Sequence, residues 1–240
     1  MKEGSAIARV LRLLRLKARG PAEDVRAAHQ QLLGSVEWRQ PFRAMTFTAI
    51  DCEMTGLDPL RDEILSIGAL RIRNNRVLLN ERFYQVFKPR EAISPNEVIL
   101  IHGLAPDEVS RASPLAGGLD ALRTFLGDSV LVGFHTEFDL QFLNAALTRH
   151  AGTALQNPVL DVRLLYRWWQ RSLWKLAKGS GAGDGKLEEI AAELGLPRYP
   201  AHNAYYDALT TGLLFLKLLQ KFEHSGSVQF RALYRETGVY

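Results

Sequence analysis

The period of the apolar positions changes along the chain. Over residues 1–34 it is helical: Ile7, Val10, Leu11 and Leu14 share one face, while Arg9, Arg12, Arg15 and Arg19 follow a neighbouring stripe. Gly20 ends this amphipathic basic helix. Pro21 restarts a second one at a favourable first position, Glu23 and Asp24 fall in its first turn, and Gly34 closes it. From Met45 the pattern becomes that of strands. Phe47, Ala49 and Ile50 open a buried strand carrying Asp51 and Glu53 at its C-terminal end. Ile64 to Ile72 and Val77 to Phe87 read as a second and third strand joined at Asn74-Asn75, which makes an antiparallel meander.

Helices then take over. Ser94 and Glu97 form a capping box that leads into a short helix before His102-Gly103. Ser113-Pro114 starts another, with Leu115, Leu119, Leu122, Phe125 and Leu126 as its apolar stripe. Val130-Leu131-Val132 has the all-apolar character of a central strand covered on both faces. The helix after it packs through Phe138, Phe142, Ala145, Ala146 and Leu147. Pro158-Val159-Leu160 is a further short strand ending at Asp161, a helix of Arg and Trp follows, and the last helix spans Ala201 to Gln220. This order predicts an α/β protein with a ribonuclease-H-like mixed sheet, three antiparallel strands and then two more, flanked by helices. The expected organisation is a basic helical extension over residues 1–43, a main domain over 44–222 and a short C-terminal tail over 223–240.

A chain of 240 residues is long enough for one substantial α/β core plus an extension. No apolar run approaches the ~18 residues of a membrane span, and the longest, Leu213 to Leu219, is broken by Lys217. Cys52 is the one cysteine, which excludes an intrachain disulfide and fits a reducing compartment, so a cytoplasmic location is expected. Charge is unevenly placed: residues 1–43 carry nine Lys and Arg against four Asp and Glu, and residues 44–240 carry 21 against 22. The basic helix fits packing against the main domain, a nucleic-acid arm, or a surface for a partner protein or lipid headgroup. Glu3 and the well-formed second helix argue against an organelle transit peptide.

Strand alternation puts Asp51 and Glu53 on one face and turns Cys52 into the core, away from any nucleophilic role. Adjacent carboxylates repel unless a cation sits between them. Alone, such a pair reads as ordinary solvent-facing acids. Asp139, in the first turn of a helix just beyond a strand end, and Asp207, near the start of the last helix, extend it to four acids at element ends, with His202 close by. An all-oxygen set of this kind suits Mg²⁺ or Mn²⁺ rather than zinc.

With those residues in place, the chain resembles the DEDDh, or DnaQ-like, 3′–5′ exonucleases, which include proofreading subunits of bacterial replicative polymerases, RNase T and oligoribonucleases. The first family motif stands as Asp51-Cys52-Glu53-Met54-Thr55-Gly56-Leu57, the second as Phe138-Asp139 with Phe142-Leu143 behind it, and the third as His202-Asn203-Ala204-Tyr205-Tyr206-Asp207-Ala208. Ile101-His102-Gly103-Leu104 is similar to another family segment, and the likeness covers roughly residues 45–220. One departure is Phe134-His135, where family members usually have His-Asn.

The resemblance implies two divalent metal ions, with Asp51 shared, Glu53 and Asp207 completing one and Asp139 helping to hold the other. His202 becomes the general base, since an imidazole accepts a proton from water near neutral pH. Thr55 and Gly56 are expected to meet the terminal nucleotide through their backbone, Leu57 to pack on its base, and His102 and Phe138 to lie near its sugar or base. Leu57 and Phe138 read equally well as core residues. The implied partner is nucleic acid with a free 3′ end, single-stranded DNA or RNA. The competing expectation is a nucleic-acid-binding or scaffolding protein on the same fold without activity.

Two further stretches resemble binding motifs. Gly179 to Lys186 is similar to a phosphate loop, but Ser180 and Leu187 stand where such a loop requires Gly and Ser or Thr, so a flexible connection is expected. Arg163, Arg167, Arg171, Lys175 and Lys178, interleaved with Trp168, Trp169 and Trp174, either track a phosphate backbone or put Trp in the core and Arg in water; the second reading is favoured.

Overall fold

The computed structural model describes residues 41–90, 104–174, 185–225 and 230–239. The two N-terminal helices, the capping box at Ser94, His102, Gly179 to Asp184, Lys175 and Lys178, and the side chain of Trp174 lie outside them.

The meander forms as its sequence predicts. Strand β1 (Phe47–Met54) pairs antiparallel with β2 (Ile64–Arg73), and β2 with β3 (Arg76–Lys88). Asn74 and Asn75 both take positive φ, 51° and 57°, the left-handed turn that matches strand twist and that Asn tolerates. After helix α1 (Pro106–Arg111), Ser113–Pro114 forms a short strand, β4, parallel to the end of β3, where the sequence predicts the first turn of a helix. Pro114 is extended at ψ 148°, so the helix that follows, α2, begins only at Leu115 and runs to Leu126. Strand β5 (Val130–Gly133) joins β1 in parallel and β6 (Val159–Asp161) joins β5 in parallel, giving the order β4-β3-β2-β1-β5-β6. The mixed sheet is therefore the expected one with an added edge pairing.

Helix α3 (Glu137–Ala151) packs with α2 on one side of the sheet, where Ile50, Cys52, Leu122, Leu126, Phe142 and Leu143 share a buried cluster. Helix α6 (Ala204–Ser225) lies on the other, with Leu70, Ala208 and Leu209 in contact there. Between them in sequence come α4 (Val162–Trp174) and α5 (Leu187–Glu193). Two Trp residues of α4 are engaged in packing: Trp168 stacks on Phe222 at 4.6 Å, and Trp169 lies under the Lys221 ammonium at 4.6 Å. Residues 223–240, expected as a tail, contribute α7 (Phe230–Thr237) to the core, with Phe230 and Leu233 fully buried and the Val159 carbonyl accepting the Val239 N–H. Phe42, ahead of β1, packs edge-on against Phe230 at 6.5 Å. Among the described residues no helix is long and apolar enough to cross a membrane.

Candidate active site

The site forms at the C-terminal end of β1, the central strand, which has an antiparallel neighbour on one side and a parallel one on the other. Such a switch in strand direction opens a crevice at the strand end. Asp51 and Glu53 project toward α6, whereas Cys52 points into the opposite core and is 7 % exposed. Burial, reinforced by the neighbouring carboxylates, pushes the Cys52 thiol well above its ordinary value, which removes it as a nucleophile. Carboxylate oxygens of Asp51, Glu53 and Asp207 all lie within 4.8 Å of one another.

Asp207 reaches this point because α6 comes unusually close to the sheet. Gly68 is the cross-strand partner of Asp51. A β-carbon at Gly68 would overlap the Ala204 backbone, so glycine there admits the first turn of α6. The helix start is fixed locally: the Asn203 side-chain oxygen accepts the N–H groups of Tyr205 and Tyr206 at 3.2 and 3.3 Å, and Asp207 in return accepts the Asn203 N–H at 3.1 Å. His202, expected inside the last helix, instead lies in the loop before it, exposed and in the left-handed region at φ 59°.

Asp139 enters from the other side of the sheet. It lies in the first turn of α3 and its carboxylate accepts the Cys52 N–H at 2.9 Å, a bond that ties the acid to the backbone of β1. The turn before α3 is held by Asp161, which is 2 % exposed and accepts the Thr136 N–H at 3.2 Å and the Arg163 and Leu164 N–H groups at 2.8 and 3.1 Å. Asp161 was legible only as the end of a strand, yet an acid directly before a helix is itself a cap signal. His135 also has positive φ, 58°. Asn and His both tolerate this region better than most residues, so replacing the usual His-Asn by Phe134-His135 preserves a residue type that the turn accepts.

The electrostatics record the convergence. Desolvation raises the Asp51 carboxyl well above the usual range, and the charges of Asp139, Asp207 and Glu53 add to it. Asp139 is pushed up to about 7, chiefly by burial and against the opposing Cys52 N–H bond. Asp207 is raised to about 6 by burial and by Glu53, with the Asn203 N–H and His202 pulling it back. Asp51, Glu53 and Asp207 held this close favour a cation among them, while Asp139 stands outside that trio and acts on Asp51 through its charge. Ser66, opposite Glu53 in the register, has a buried hydroxyl with no hydrogen-bond partner among the described residues.

The loop after β1 carries Thr55, Gly56 and Leu57. Asp62 pins it, accepting the Thr55 hydroxyl at 3.2 Å and the Asp58 N–H at 2.8 Å, while the Thr55 N–H bonds the Glu63 carbonyl at 2.9 Å. A β-carbon at Gly56 would collide with the Asp62 carboxylate, so the loop needs glycine there. Leu57 is 57 % exposed and hence not a core residue, and Phe138 is half-buried beside Asp139. Asp62 gave no sequence signal, because its role comes only from the folded loop.

A family profile described as exonuclease matches residues 48–215. The PolC-type DNA polymerase III of Oceanobacillus iheyensis is 30 % identical over 176 residues, 73 % of this chain and 12 % of that protein. The DNA polymerase III subunit epsilon of Aquifex aeolicus is 27 % identical over 187 residues, 78 % of this chain and 87 % of that one. This chain thus spans only about an eighth of the PolC-type relatives. Among solved structures, the E. coli exonuclease I–single-stranded DNA complex superimposes with a TM-score of 0.60 at 18 % identity, covering 75 % of this chain and 41 % of that one. Cell-death related nuclease 4 gives 0.61 at 12 % identity, covering 78 % and 66 %. At such identities the structural likeness establishes the fold alone.

Proposed function

Because this chain belongs to the DEDDh exonuclease family, we propose that it hydrolyses phosphodiester bonds from the 3′ end of single-stranded DNA or short RNA, releasing nucleoside 5′-monophosphates. The observation that carries this reading is the meeting of Asp51, Glu53 and Asp207 within 4.8 Å at the end of β1. This all-oxygen set, with raised carboxyl pKa values and polar surroundings, fits two divalent ions, Mg²⁺ or Mn²⁺. Asp51 would be the shared ligand, Glu53 and Asp207 would complete one site, and Asp139 would help hold the second. Bound there, the ions supply the positive charge that activates water and stabilises a departing 3′ oxygen.

The chain's own groups divide the remaining work. His202, on the exposed loop ahead of Asp207, accepts the proton of the attacking water. The Thr55 and Gly56 backbone, held by Asp62, positions the terminal nucleotide; Leu57 packs on its base, and Phe138 lies near its sugar or base. Solved relatives of this fold include exonuclease I bound to single-stranded DNA and to a dT13 oligonucleotide, which supports a single strand as substrate.

The test is digestion of 5′-labelled single-stranded DNA and its RNA counterpart with Mg²⁺, with Mn²⁺ and with chelator. A ladder shortening from the 3′ end, dependent on metal and reduced about 10²–10⁴-fold in His202→Ala, is expected. Binding without shortening of either strand would replace this reading with an inactive nucleic-acid-binding module.

A further inference from the structure

On the α2 and α3 side of the sheet, a cavity of about 390 Å³ opens between the start of β2, the end of β3 and the two helices. Its floor is apolar: Leu119, Phe142 and Ala146 are buried, and the partly buried Leu115 continues it outward. Its rim is cationic. Lys88 and Arg149 are exposed and form no ion pair among the described residues; Arg149 bonds only the Ala145 carbonyl of its own helix. The acids of the wall are already engaged. Glu63 pairs with Arg90, and Asp62 holds the loop after β1. An apolar floor under unpaired cations selects an anion with a flat apolar part, and the volume falls within the range of small-ligand sites.

The position of the cavity narrows the choice. Asp62 and Glu63 belong both to its wall and to the hydrogen bonds that brace the Thr55 loop, so cavity and catalytic site are separated by one loop. Helix α3 joins them as well: Asp139 is in its first turn, Phe142 lies about 5 Å further along the axis and Arg149 about 15 Å, at 1.5 Å per residue. The cavity therefore lies within a few nucleotides' reach of a 3′ end held at the acids.

We propose that the cavity is a second nucleic-acid subsite, which takes a nucleotide upstream of the scissile bond in the same strand. Its base and sugar rest on Leu115, Phe142 and Ala146, and its phosphate lies between Lys88 and Arg149, the pairing of apolar contact with backbone charge that single-strand binders use. This inference rests on the exonuclease reading. It adds a preference for strands long enough to span the loop.

The test compares a dinucleotide with a 12-nucleotide single strand on the wild type, on Lys88→Glu/Arg149→Glu and on the charge-preserving Lys88→Arg/Arg149→Lys, with thermal melts confirming that each folds. The charge-reversed protein should show KM for the 12-mer raised about 5–20-fold with kcat unchanged, both constants for the dinucleotide unchanged, and a binding salt slope lowered by about 0.7 for each phosphate that is no longer neutralised. The charge-preserving protein should behave as the wild type. Equal losses on both substrates, or no change on either, would overturn the subsite, the second outcome leaving the cavity to an acidic peptide. Metal-free anisotropy of the labelled 12-mer reads the subsite separately: if no substrate is cut, the exonuclease reading fails, while weaker 12-mer binding by the charge-reversed protein still supports the subsite and unchanged binding overturns it.

Discussion

The seam between β1 and α6 has two ends of opposite character. At the start of β1, Phe47 packs against Phe215 at 4.9 Å and Phe230 at 6.3 Å. In the middle the helix touches the strand through small residues, with Gly212 leaving 3.3 Å between a would-be β-carbon and that of Ala49. At the far end Asp51 and Glu53 face Asp207, and the contact is repulsive. The same two elements are thus held together by aromatic burial at one end and pushed apart by like charge at the other. Hydrophobic packing, which needs no cation, keeps the acids at a separation they would not choose in water.

The largest expected effect comes from removing a charge at the repulsive end. Asp207→Asn should lower turnover about 10³-fold or more, while the metal-free protein melts no lower than the wild type, because repulsion is relieved and the amide oxygen can still accept the Asn203 N–H. A lower melting temperature would show that this hydrogen bond outweighs the repulsion. At the attractive end, Phe215→Ala should cost about 3–5 kcal/mol in urea unfolding, with activity per folded molecule retained. An activity loss exceeding the folding loss would mean that the two ends are not independent.

Between the ends, Gly68→Ala should cost about 1–3 kcal/mol and also weaken Mn²⁺ binding, because the added carbon pushes the first turn of α6 away from Asp51. Reduced stability with metal affinity unchanged would refute that placement. The remaining prediction concerns pH. Asp139 at about 7 and Asp207 at about 6 are raised above their unfolded values, as is Asp51, so the folded state binds protons more tightly than the unfolded one. Their contribution is then fully present below about pH 4 and is lost as pH rises to about 7. For these groups the metal-free melting temperature should fall between pH 5 and 8, and Mg²⁺ should raise it more at pH 8 than at pH 5. A Mg²⁺ shift independent of pH would contradict the coupling of metal to these acids.

The elements whose residues sense their neighbours in sequence are legible without the structure. The β1–β3 meander, the Asn74-Asn75 turn and the inward Cys52 follow from period-2 alternation and turn chemistry, and the four acids stand out because each interrupts an apolar pattern at an element end. Elements that depend on remote partners are not legible. Ser113–Pro114 pairs as a strand because the edge of β3 is there to receive it, and residues 230–237 join the core because Phe47 and Phe42 offer them an aromatic wall. His202 falls outside α6 because Asn203 caps the helix after it.

What the sequence alone determined is therefore chemical identity: an α/β sheet of a recognisable order, a family motif set and the residue types able to hold divalent cations. The tertiary structure decided distance. Asp51 and Asp207 are 156 positions apart in the chain, and only a sheet that presents Gly68 to α6, together with the phenylalanines that anchor the other end of the seam, brings them to one point. Periodicity reports which face of an element is apolar. How closely two elements approach depends on the side-chain volume between them, and that is a property of the packed pair.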